Sequence, residues 1–353
     1  MTDSASVGGL GTSREAWIDV AKGIAITLVV LYHAVMYLDG IGLAGAMAPL
    51  NPLLDTFRMP LFFFMSGILA GRAIQLPYWQ LFRRRMSLLL YLYIVWVAAQ
   101  TLFLLALPPI SPDGTNASWA NMVTLFIRPS SNLWFIYALP IFLTVAWLTK
   151  RWHPLIPVTI TGIVAMLFGS QLLHTGTPWD KMGRYLVFFL AAIWLGPRVR
   201  RLIPRIRWWH MIALCGTYLG IVIIMVKLSL THAPFVLLFV SAFAVLVGIS
   251  VAVILARAPV FDFMRVLGTR TLPIYLVHTF PMTALAAILL AAGTSLPAVA
   301  ATALPILLCG VATVFGLGVY RRLGQVPGIF TVPVSSWVTP PAGAPVRQTE
   351  ASA

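Results

Sequence analysis

Apolar residues gather in ten stretches, at about residues 17–38, 57–76, 86–107, 131–149, 155–173, 183–197, 209–227, 233–255, 272–292 and 297–320. Each approaches the roughly 20 residues that a helix needs to cross a bilayer, and the sixth is the shortest. The pattern predicts an all-α fold, a polytopic integral membrane bundle of about ten transmembrane helices. The sixth stretch reads as a tilted or partly buried helix. The first is too long for a cleaved signal peptide and carries Asp19, Lys22 and His33. The chain divides into a segment 1–16, a transmembrane domain 17–322, and a tail 323–353 whose Pro, Ser, Thr and Ala content predicts poor order toward its end. The longest loop, about Leu107 to Pro129, reads as a lid or acceptor-binding loop.

Composition sharpens this picture. Hydrophobic residues make up 60 % of the chain, charged residues 9 %, and the mean hydropathy is +0.92. A soluble domain carries roughly 25 % charged residues, so a soluble enzyme, a secreted disulfide scaffold and a disordered regulator are excluded. The formal net charge of +15 would suggest nucleic acid only if the basic residues shared one soluble face. They lie between apolar runs instead, so the expected partner is the lipid bilayer and not nucleic acid. With the N-terminus in the cytoplasm, only Arg58, Arg128, Lys181, Arg184 and Lys227 fall outside, and all other Lys and Arg fall inside. The positive-inside rule therefore places both termini in the cytoplasm. Cys215 and Cys309 sit singly inside apolar runs, which excludes a disulfide framework and a multi-thiolate zinc site; no metal is expected.

Ionisable groups inside spans are costly and need a reason. Lys22 and His33 are 11 residues apart, about 20° past three turns, so both lie on one helix face with a rise of roughly 16 Å between them. Asp19 can pair with Lys22 from three positions before it. The stripe leads from the inner surface to a histidine suited to general-base work. A packed polar helix contact with two interfacial anchors explains the same residues without chemistry. Arg72, Arg83, Arg84 and Arg85 form an inner cluster that can hold a phosphorylated cofactor, or can serve only topology and anionic lipid. Asn132, Trp134 and Tyr137 open one later span, and Tyr275 and His278 lie in another, with His278 roughly 12 Å past Arg270. No phosphate-binding loop, dinucleotide fingerprint or nucleophile elbow is present.

Taken together, these segments resemble the acyltransferase 3 family of membrane acyltransferases, in particular its stand-alone membrane domains similar to fucose 4-O-acetylases. The resemblance rests on Lys22 and His33 with ten residues between them, on Thr56–Gly67 (TFRMPLFFFMSG), and on Arg83–Arg85. Leu133–Leu139 (LWFIYAL) and Leu267–His278 (LGTRTLPIYLVH) complete it, all in the family's order. Lys22 stands where the family more often has Arg, which leaves a point charge in place of a fork. The resemblance implies O-acylation of a cell-envelope glycan or glycolipid in a bacterial inner membrane. Acyl-CoA, most often acetyl-CoA, would be the donor. It implies His33 as general base, Lys22 and Asp19 beside the donor path, Arg72 and Arg83–Arg85 on the nucleotide phosphates, and Ser66, Asn132, Trp134, Tyr137, Tyr275 and His278 around the pocket. The competing reading is a transporter or flippase for a glycolipid or polysaccharide, without chemistry.

Overall fold

A computed structural model describes residues 15–108, 119–129, 132–233 and 235–333. All regular elements among them are helical. We number the main helices α1 (Ala16–Asp39), α2 (Asn51–Ala70), α3 (Ser87–Leu105), α4 (Trp134–Thr149), α5 (Leu155–Gly169), α6 (Pro178–Leu202), α7 (Trp208–Lys227), α8 (Val236–Leu255), α9 (Asp262–Thr269), α10 (Thr271–Val277), α11 (Thr279–Ala291) and α12 (Ala298–Leu323). Among the described residues, seven segments are long and apolar enough to cross a membrane: α1, α2 with the 3-10 turn before it, α3 with the turns from Tyr78, α7, α8, α10 with α11, and α12. The protein is therefore a multi-pass helical membrane protein. The shorter apolar helices α4 and α5, and the more polar α6, fill the places of the fourth, fifth and sixth expected spans.

Burial orders the bundle. Two thirds of the apolar window of α1 and of α2 is buried, against 17 % for α7. α1 and α2 are the axis, and α7 is peripheral, with Leu219, Ile223 and Ile224 turned outward. An aromatic cluster of Phe62, Phe63, Trp134, Phe135, Phe142 and Tyr185 joins α2 to α4 and α6, with ring centroids 4.6–6.1 Å apart. Because lipid is as apolar as leucine, such association relies on close packing.

The tightest packing is between α1 and α9. A Cβ on Gly268 would overlap the carbonyl of Asp19, and one on Gly23 would overlap the carbonyl of Met264. Only glycine lets two backbones approach this closely. Gly67 plays the same part where α2 meets Phe189 of α6.

Two helices depart from the sequence pattern for visible reasons. α6 runs for 25 residues although its apolar stretch is short. Thr177 caps it by accepting from Trp179 N, Pro178 starts it, and arginines occupy its last turn, so polar ends flank the apolar centre. The ninth expected span is interrupted at His278, between α10 and α11. Pro281 has no N–H to offer the carbonyl of Val277, so the helical ladder breaks there. The described part of the tail does not hang free. Tyr91 Oη donates to Gly328 O and Trp96 Nε1 to Ile329 O, both at 2.9 Å, and Phe330 is buried. Residues 334–353, and residues 109–118 of the loop expected to act as a lid, lie outside the described residues.

The crossing yields a prediction. Gly268→Val or Gly23→Val should lower stability by at least about 1–3 kcal/mol through overpacking, read as a lower Tm in detergent. Gly310→Ala, where a Cβ meets open space, should cost nothing. An unchanged Tm for Gly268→Val would remove the crossing as a determinant of the fold.

Candidate functional site

α1 carries Asp19, Lys22 and His33 on one unbroken helix. Lys22 Nζ stands 3.9 Å from Asp19 Oδ1, the i, i+3 pair that the spacing suggests. Lys22 keeps 18 % of its side-chain surface while Asp19 is buried, so this pair marks the beginning of α1 as a partly wetted end.

His33 is buried in the other half of α1 and meets His278, with His33 Nδ1 3.2 Å from His278 Nε2. The register of α1 against α9 and α10 explains the meeting. Gly23 lies against Gly268 at the crossing, and ten residues on, along two helices running the same way, stand His33 and His278.

The partners assign the protons. Carbonyl oxygens only accept, so His278 Nδ1, 2.8 Å from Tyr275 O and 3.2 Å from Ile274 O, carries its hydrogen. His278 Nε2 is then an acceptor in the neutral ring. His33 Nδ1 donates, shared between Val29 O at 2.9 Å and His278 Nε2. This leaves the lone pair of a neutral His33 on Nε2. The position of the ring is fixed by one contact and its tautomer by another.

A second layer holds this pair. Tyr275 Oη donates to Asn132 O at 2.6 Å and accepts from Phe135 N at 3.4 Å. Asn132 Nδ2 donates to Tyr37 Oη at 2.6 Å. Gln100 Nε2 donates to Thr279 Oγ1 at 3.0 Å, just after the break at His278. α1, α3, α4, α10 and α11 are thereby tied around the two rings.

The sequence-derived residues do not all converge. His33, His278, Tyr275 and Asn132 come together, and Trp134 stacks on Tyr185 beside them. Ser66 spends its hydroxyl on Phe62 O, and Tyr137 donates to Phe126 O. Arg72, Arg83, Arg84 and Arg85 are exposed at the other end of the bundle. The last three lie in a π-helical turn, Phe82–Met86, that leads into α3. Such turns break the regular ladder and are frequent at functional sites.

The structure adds Asp55, Arg58, Arg184 and Tyr185, none of which the sequence singled out as site residues. The guanidinium of Arg58 lies 3.6 Å over the ring of Tyr32, and that ring meets His33 edge-on at 5.2 Å. Arg58 had been counted among the outer charges, yet it is 2 % exposed and pairs with Asp55 at 2.9 Å. A guanidinium buried in an apolar helix was the signal available for finding it. Among the described residues no cluster of His, Cys, Asp or Glu could hold a metal.

Comparison with known proteins identifies the family. The acyltransferase 3 profile, described as an acyltransferase domain, matches residues 15–320. The inner membrane protein YcfT of Escherichia coli K12 is 28 % identical over 212 residues, covering 53 % of this chain and 57 % of its own length. The chain thus spans little more than half of that relative. No solved structure matches it.

The second layer can be tested by stability. Tyr275→Phe keeps the ring but strips the hydroxyl from Asn132 O and Phe135 N, and should cost about 1–3 kcal/mol. Tyr137→Phe, which loses one contact to Phe126 O at an exposed site, should cost less than about 1 kcal/mol. Tm values of the two proteins decide; equal values would show that Tyr275 only packs.

Proposed function

Because the chain belongs to the acyltransferase 3 family, we propose that it transfers an acyl group, most simply acetyl, from cytoplasmic acyl-CoA to a hydroxyl of an envelope glycan or glycolipid. We place it in a bacterial inner membrane, crossing ten times with both termini in the cytoplasm. The relative from Escherichia coli, named as an inner membrane protein, supports the location. The three additional helices α4, α5 and α6 support the count.

The observation that carries the reading is the His33–His278 contact. His33 Nε2 takes the proton of the acceptor hydroxyl as its oxygen attacks the thioester carbonyl. The C–S bond then breaks, and the CoA thiolate leaves with the proton returned by His33. As His33 becomes cationic, its Nδ1–H bond to His278 Nε2 strengthens. His278 is a positioning residue, and Tyr275 and Asn132 fix it in turn. On this reading Asp19 and Lys22 line the donor path, and Arg72 with Arg83–Arg85 holds the donor phosphates at its mouth. Trp134, Ser66 and Tyr137 shape the walls. A transporter explains the exposed arginines equally well, but gives no use for a histidine whose two ring nitrogens are assigned to different tasks.

The direct test is acyl-CoA turnover by purified protein with an acceptor present. His33→Ala should lower transfer by about 10²–10⁴-fold while Tm and helix content are kept. His278→Phe should lower kcat and leave the KM for the donor unchanged. No turnover by the wild-type protein with a panel of acyl-CoA donors, or full turnover by His33→Ala, would refute the reading.

The inner arginines give a separate prediction. Replacing Arg83, Arg84 and Arg85 with Gln should raise the donor KM at least tenfold, and added salt should narrow the difference from wild type. An unchanged KM with altered membrane orientation would mean that the cluster sets topology alone.

A further inference from the structure

Two guanidinium groups share one carboxylate near the end of α1. Arg58 Nη2 donates to Asp55 Oδ1 at 2.9 Å, and Arg184 Nη1 stands 3.9 Å from Asp55 Oδ2. The Nε atoms of both arginines are buried and have no hydrogen-bond partner. One carboxylate against two guanidinium groups leaves positive charge in excess. A desolvated cation without a matching anion is costly, and so is a buried donor without an acceptor. The fold tolerates both at one place.

That place adjoins a cleft of about 120 Å³. Asp55, Thr56, Arg184, Tyr185, Thr231 and Ser241 are among the residues that line it. The cleft is connected to the histidines through Arg58 and Tyr32, whose contacts are given above. It lies between α2, α5, α6 and α8, at the opposite end of the bundle from Arg83–Arg85.

We propose that this cleft binds an anionic group of the acyl acceptor, a phosphate or a carboxylate, so that the acceptor is a negatively charged sugar or glycolipid. Arg184 is the contacting cation. Its ion pair with Asp55 is the longer of the two, so it can turn to a ligand while Asp55 keeps Arg58. Thr231 and Ser241 supply hydroxyls to the remaining anion oxygens. A neutral sugar could accept from Arg184 Nε but would leave the excess charge of two guanidinium groups on one carboxylate unmatched. The proposal rests on the acyltransferase reading and adds a charge requirement for the acceptor.

The test reads binding and not turnover. The full chain, in nanodiscs of zwitterionic phosphatidylcholine, is unfolded by heat with glucose 1-phosphate, glucuronate, glucose or CoA present. One or both anionic sugars should raise the Tm and glucose should not; the anion with the larger shift identifies phosphate or carboxylate as the group recognised. Arg184→Gln should weaken the anion response at least tenfold in concentration, and Arg184→Lys should restore part of it, both with the CoA response intact. If Arg184→Gln does not fold, Thr231→Trp, which fills the cleft from its wall, carries the same expectation. Equal shifts from glucose and the anions, no shift from either anion, or an unaltered response in these variants overturns the proposal. An anion shift without any response to CoA keeps an anion site but overturns its assignment to an acyl acceptor, together with the reading beneath it.

Discussion

The backbone contact between α1 and α9 sets the geometry of everything above it. Gly23 and Gly268 let two helices touch at main-chain distance near one end. From there α1 and the α9–α10 segment run in the same direction with matched rise. Ten residues later their histidines arrive within hydrogen-bond distance. A side chain at either glycine would push the helices apart and shift both rings. The geometry of the pair therefore depends on two residues with no functional group, roughly 15 Å away along the helix axis.

The break at His278 depends on the same logic of main-chain supply. Pro281 withholds an N–H from Val277 O, and beside that break His278 Nδ1 bonds back to Tyr275 O and Ile274 O. Those two carbonyls hold the proton on Nδ1 and so turn Nε2 toward His33. A regular helix through this point would lack the interruption that Gln100 braces through Thr279. Backbone irregularity is tolerated at membrane depth where protein surrounds it, and His278 is fully buried.

Much of this was legible in the sequence, for a definite reason in each case. Helical periodicity placed Lys22 and His33 on one face, and the i, i+3 rule paired Asp19 with Lys22. Both are local relations that one helix decides. His278 stood out by depth alone, but its contact with His33 joins residues far apart in the chain and needed the tertiary register. Arg58 and Arg184 fall just inside the starts of the second and sixth apolar stretches and were counted as outer charges by topology, because a hydropathy pattern does not say how deeply a span's first turns are packed. Near the starts of α2 and α6, Arg58 pairs with Asp55 within α2 and Arg184 reaches the same Asp55 from α6, so their charges enter the bundle with the helices. The full length of α6 was hidden because polar ends flank its apolar centre.

The two positive regions of the molecule differ in kind, and this gives the bundle a direction. Arg83, Arg84 and Arg85 are exposed and hydrated, so their attraction for an anion is long-ranged and weakened by salt. Arg58 is buried, and its charge acts at short range in a medium that screens little. A hydrated cluster suits capture of a mobile donor from solution. A desolvated one suits orientation of a ligand that has already arrived. With the histidine pair between them, a donor and an acceptor that enter from opposite ends would meet at His33 without either having to cross the other's site.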